Sequence, residues 1–85
     1  MFAVIWRDSA LDALADAFVQ ANTSTRDAIE RAVIRFNNQL AADPNDLGES
    51  RSGAGRRIAY DSPCAIRFTV DTAGGTVRVT HFWTY

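Results

Sequence analysis

With 85 residues, 47% hydrophobic and 22% charged, the chain is sized and composed for one soluble globular domain, and no apolar run is long enough to cross a bilayer. A formal net charge of −1 excludes generic coating of nucleic acid, although all nine cations are arginines, whose planar fork suits phosphate. The charge is uneven: eight of the ten carboxylates precede Arg51, whereas Arg51, Arg56, Arg57, Arg67 and Arg78 follow with only Asp61 and Asp71.

The first ten residues, "MFAVIWRDSA", show no basic leader and no signal-length apolar stretch, so the expected compartment is the cytoplasm. Residues 2–6 are rich in aromatic and β-branched types and predict a strand that Asp8 and Ser9 stop. Ser9 to Asp12 resembles a capping box, and Leu11, Leu14, Ala15 and Phe18 recur at helical spacing. Asn22, Thr23, Ser24 and Thr25 supply a break and a new N-cap, after which Ile29, Val33, Phe36 and Leu40 mark a second helical stripe. Residues 43–55 are rich in turn formers and read as a surface linker. Strands follow over residues 57–60, 65–71 and 76–83. The expected fold is α+β: a strand, a two-helix hairpin, then an antiparallel three-strand meander with the helices on one face of the sheet.

The "TAGGT" turn sets a register for the last hairpin. A two-residue turn at Gly74 and Gly75 pairs Val70 with Val79, Phe68 with His81 and Ile66 with Trp83, all facing the helices. The other face then carries Arg67 beside Phe82, Thr69 beside Thr80, and Asp71 beside Arg78. A slip by one residue would place Val70 against Arg78, which the alternation forbids.

Several sites are weighed on these terms. Histidine as a residue type can take up and release protons near neutral pH, but the register turns His81 toward the helices as a packed histidine. Cys64, the lone cysteine, has no disulfide partner and reads as a small buried hydrophobe. The Gly-rich stretch over residues 52–56 lacks the lysine and spacing of a phosphate loop, and no metal-ligand spacing or cofactor motif is present. The outer sheet face is more informative. Arg67 in mid-strand, Arg57 on a neighbouring strand, Arg78 across the hairpin and an exposed Phe82 could grip RNA, phosphates taking the forks and bases the aromatic plane. The alternative is a solvated face with an Asp71 to Arg78 ion pair.

Three stretches, "VIWRDSALDALADAF", "LAADPNDLGESR" and "PCAIRFTVDTAGGTVRVTHFW", together with the element order, resemble the RelE/ParE family of toxins from type II toxin-antitoxin pairs. The resemblance spans the whole chain. It implies a growth-inhibiting toxin with a cognate antitoxin as partner. RelE-type members cut mRNA on the ribosome without a metal, through attack by the RNA's own 2′-hydroxyl; ParE-type members act on DNA gyrase. Arg67 matches the central-strand arginine of the nuclease group. The family's preceding lysines correspond at best to Arg56 and Arg57, and its basic and tyrosine residues after the last strand would fall beyond Tyr85. Proton transfer then rests with His81 or Tyr85, because arginine's pKa is too high for an easy base. The expected function is ribosome-dependent mRNA cleavage, with catalytic Arg67, His81 and Tyr85 and nucleic-acid contacts from Arg56, Arg57, Arg78 and Phe82. The alternatives are a non-nucleolytic module of the same fold, as a gyrase inhibitor or a degenerate toxin that binds its antitoxin, and a homodimer joined through edge strands or the aromatic C-terminus.

Overall fold

The computed structural model describes residues 1–50 and 56–85, so residues 51–55, the end of the linker read over residues 43–55 and most of the Gly-rich stretch over residues 52–56, lie outside the described part. The chain opens with β1 (Ala3–Trp6) and continues through the helices α1 (Asp8–Gln20) and α2 (Thr23–Ala42). A 3-10 turn (Pro44–Asp46) then leads into β2 (Glu49–Ser50), β3 (Arg56–Asp61), β4 (Cys64–Asp71) and β5 (Thr76–Thr84). The strands form one sheet in the order β1-β5-β4-β3-β2. Pairs from β2 to β5 are antiparallel, whereas β1 lies parallel to β5, the helical hairpin crossing one face between them. The α+β order is the expected one, with the 3-10 turn and β2 added inside the stretch read as linker; the turn buries Pro44.

The expected capping box at Ser9 does not form. Strand pairing runs on to Arg7, whose N–H donates to the Val79 carbonyl at 2.9 Å, and the helix starts where that ladder ends. Arg7 is therefore the N-cap, its carbonyl accepting from the Ala10 and Leu11 N–H groups. α1 turns Ala10, Ala13, Leu14 and Ala17 to the core, so that small side chains let it lie close on β5, and leaves Leu11, Phe18 and Val19 exposed. The cap of α2 is the expected one: Asn22 Oδ1 accepts the Thr25 N–H at 2.8 Å, a bond worth about 1 kcal/mol. Arg26 closes the hairpin by donating from Nε and Nη2 to the Phe18 and Val19 carbonyls at the end of α1, where a cation also opposes the helix dipole. Ile29, Ala32, Phe36 and Leu40 form the buried stripe of α2 against Ile66, Phe68, Val77 and Val79 of the sheet.

The last hairpin departs from the expected register twice. Asp71 Oδ1 accepts the Gly74 N–H at 2.9 Å and Gly75 adopts φ 67°, which makes a four-residue loop and pairs Val70 with Val77 instead of Val79. The same bond takes Asp71 into the turn, and its cross-strand partner is Thr76, not Arg78. Both shifts are by two positions, so the faces stay as expected up to Val79. A bulge then follows: Phe68 pairs with Val79 but Arg67 pairs with His81, leaving Thr80 extra on β5. Alternation inverts beyond that residue. Phe82 enters the core, 6% exposed, and its ring lies 6.2 Å from that of Trp6, while His81 turns outward. The expected positions of Phe82 on the open face and of His81 and Trp83 against the helices are therefore exchanged.

This exchange predicts unequal stabilities. Phe82→Ala should lower the free energy of unfolding by about 3–5 kcal/mol, as for a core aromatic, and His81→Ala by under about 1 kcal/mol. Chemical denaturation of the two variants checks it; unbroken alternation would reverse their order.

Candidate functional site

The helices cover one face of the sheet. On the other, Ile58, Arg67 and His81 form one cross-strand row on β3, β4 and β5, and Arg56 and Thr69 form the next. Together with Arg7 and Thr80 they line an open cavity of about 550 Å³. Four of these seven lining residues, Arg7, Arg56, Arg67 and His81, carry a charge or can acquire one of the same sign, and none of them is acidic. Such a pocket favours an anion by Coulomb attraction, and guanidinium forks favour one with paired oxygens, as in phosphate.

Arg7 is the residue that sequence reasoning missed. It follows β1, and only the parallel pairing of β1 with β5 brings it beside Val79 and the pocket. Among the expected residues, Arg56, Arg67 and His81 come together. Arg78 lies on the same open face, paired with Thr69 and opposite Ile5 of β1, but outside the cavity lining. Arg57 does not join them: alternation turns it the other way, and its Nε and Nη2 donate to the Leu47 and Gly48 carbonyls, pinning that turn to β3. Phe82 is withdrawn into the core. Tyr85 is not loose: its N–H donates to the Pro63 carbonyl at 3.1 Å and its ring meets Tyr60 edge-on at 5.7 Å, away from the cavity lining.

The bulge also fixes His81. The Thr80 hydroxyl has one proton, which it donates to the Arg67 carbonyl at 3.2 Å, leaving its oxygen to accept from His81 Nδ1 at 3.0 Å. Nδ1 of the neutral ring therefore carries the hydrogen, and Nε2 is left with the lone pair as a proton acceptor. Thr80 is 9% exposed, so this link is largely shielded from competing water.

Other chemistries find less support. Burial pushes the Cys64 thiol up to about 11, away from the nucleophilic thiolate, as expected for a packed cysteine. Asp61 faces the helices, where both its oxygens accept from Arg35 at 2.7 and 2.8 Å. Among the described residues no group of three or more His, Cys, Asp or Glu is placed to hold a metal. No helix among the described residues is long and apolar enough to cross a membrane.

With this geometry in hand, comparison with solved structures is informative. The chain is similar to a structure of the chromosomal ParDE TA system from P. aeruginosa, with a TM-score of 0.75 at 15% identity over 99% of this chain and 96% of that one. It is similar to the RelBE2 toxin-antitoxin complex from Mycobacterium tuberculosis, with a TM-score of 0.73 at 18% identity over 99% and 98%. It is also similar to the isolated E. coli RelE toxin, with a TM-score of 0.68 at 12% identity over 99% and 84%. No family model matches the sequence, and no curated protein is significantly similar to it. The fold is RelE/ParE-like, that of the toxins in these pairs.

The Thr80 to His81 link makes a spectroscopic prediction. Nitrogen-15 NMR of the neutral imidazole should show Nδ1 protonated and Nε2 bare, and Thr80→Val should move the ring toward the Nε2–H form. A wild-type ring already in the Nε2–H form would contradict the assignment.

Proposed function

We propose that this chain is the toxin of a toxin-antitoxin pair and that it acts by cutting mRNA on the ribosome at the open sheet face. The observation that carries this reading is the pocket of Arg7, Arg56, Arg67 and His81, which joins an anion site to one proton acceptor. Stranded RNA contains its own nucleophile. His81 Nε2 would take the proton of a 2′-hydroxyl as that oxygen attacks the adjacent phosphorus, forming the new P–O bond. Arg67 and Arg56 would hold the charge gathering on the non-bridging oxygens, and the bond to the departing 5′-oxygen breaks as that oxygen takes a proton from solvent. Tyr85, also considered for proton transfer, stands outside the cavity lining and is better suited to contact than to catalysis.

The partner is a protein antitoxin. Its support is an apolar groove between α1 and α2, formed by Leu14, Phe18, Val19, Val33 and Ile34, of which Val19 is 71% and Ile34 51% exposed. An apolar helix stripe fits such a groove and would relieve its exposure. The RelBE2 neighbour is itself a complex of toxin with antitoxin.

Cleavage of translated mRNA tests the reading. Wild type should cut, Arg67→Ala should cut about 10²-fold more slowly, as when a charge-stabilising donor is removed, and His81→Ala should also cut about 10²-fold more slowly, as when a general base is removed. Val19→Glu should cut normally yet escape neutralisation by the antitoxin. Absence of cuts together with inhibited DNA supercoiling would replace this reading by gyrase inhibition.

A further inference from the structure

Four neighbouring strands each present one arginine to the open face: Arg7 where β1 ends, Arg78 on β5, Arg67 on β4 and Arg56 on β3. They alternate between two rows. Arg78 and Arg56 both pair with Thr69, whereas Arg67 stands with Ile58 and His81, and Arg7 runs one residue past the Trp6–Val79 pair to the level of Thr80. Diagonal neighbours on paired strands are about 7–8 Å apart, close enough for two guanidinium groups to meet on one phosphate. The zigzag therefore holds two such diagonals, Arg56 with Arg67 across β3 and β4, and Arg7 with Arg78 across β1 and β5. His81 on β5 stands between Arg7 and Arg67. All four arginines are exposed, and among the described residues none of them forms an ion pair. Asp71, a row behind Arg78, is held by the Gly74 N–H. Like charges on neighbouring strands repel, and a bound anion removes that cost.

We propose that Arg7 and Arg78 form a second phosphate clamp, so that the two diagonals grip the phosphates on either side of one ribose and the RNA strand crosses the sheet at right angles to the β-strands. The inference rests on the reading of the cavity as a phosphate site and adds the neighbouring phosphate to it. From β1 to β3 is three strand spacings, about 14 Å, and the cavity holds about 550 Å³, room for a segment of chain and not only for one phosphate. Charge complementarity selects the occupant. An acidic peptide lying extended on the face would turn alternate carboxylates away from it, whereas a nucleic-acid backbone carries a charge at every repeat. With His81 between the clamps, the ribose is held from both sides, which orients its 2′-hydroxyl toward Nε2.

The test is a calorimetric titration of the full chain at low ionic strength with two small ligands. One is 2′-O-methyl uridine 3′,5′-bisphosphate, whose phosphates flank the sugar; the other is 2′-O-methyl uridine 5′-diphosphate, whose phosphates are joined on one side of it. Two clamps predict that the 3′,5′-bisphosphate binds about tenfold tighter, because only it reaches both. Arg7→Gln and Arg78→Gln should each abolish that preference, while Arg67→Gln weakens both ligands. Arg31→Gln, on the exposed side of α2, should change neither and controls for overall charge. The two clamp variants lie on different strands, so Arg78→Gln keeps the test open if Arg7→Gln disturbs the end of β1. Equal binding of the two ligands, or a preference that survives both clamp variants, would overturn the second clamp and leave the cavity reading standing. Failure of both ligands to bind would overturn the clamp and the cavity reading together.

Discussion

Thr80 is one residue more on β5 than β4 can pair, and the chemistry of the open face depends on where that residue sits. Val79 packs into the core cluster, Thr80 sits 9% exposed in the cavity lining of the open face, and the bulge lets its neighbour His81 line that same cavity. The inserted residue keeps its hydroxyl satisfied on the Arg67 carbonyl and hands its lone pair to His81. Beyond it every side chain changes face. Phe82 gains the core and the ring of Trp6, and Trp6 in turn donates from Nε1 to Asn37 Oδ1 of α2 at 2.8 Å, so the end of β5 is tied to the helical layer. His81 and Trp83 are delivered to the side where the arginines stand.

The distribution of charge reinforces that division. Asp61 and Asp71, the two carboxylates in the basic second half, are each engaged away from the cavity lining: one by Arg35 on the helical side, the other by the Gly74 N–H in the turn. Arg57 is likewise spent on the Leu47 and Gly48 carbonyls. What remains on the open face is a set of cations without acidic neighbours in the cavity lining. A net charge of −1 over the chain thus coexists with a local site suited to an anion, because local field, not net charge, governs a contact at a few ångströms.

Much of this was legible from the residues. The order of elements, the Asn22 cap, the α2 stripe and the inward face of β4 all follow from local patterns, and they are where the structure has them. The missed features depend on pairings distant in sequence. Arg7 joins the site only through the parallel β1–β5 ladder, and the alanines of α1 face inward because that helix packs closely on β5. The bulge carries no glycine or proline to announce it. The available signal was chemical: strict alternation puts a histidine in the core and a phenylalanine in water, and one extra residue at Thr80 reverses both.

The face exchange at Thr80 is therefore the claim on which the site stands, and nuclear Overhauser contacts measure it directly. In a labelled sample the Phe82 ring protons should show contacts to the Trp6 indole, across 6.2 Å between centroids, and the Trp83 indole should contact the Tyr60 ring. Contacts instead from the His81 and Trp83 rings to Ile66 and Phe68, with Phe82 free of Trp6, would mean an unbulged strand and would contradict the account.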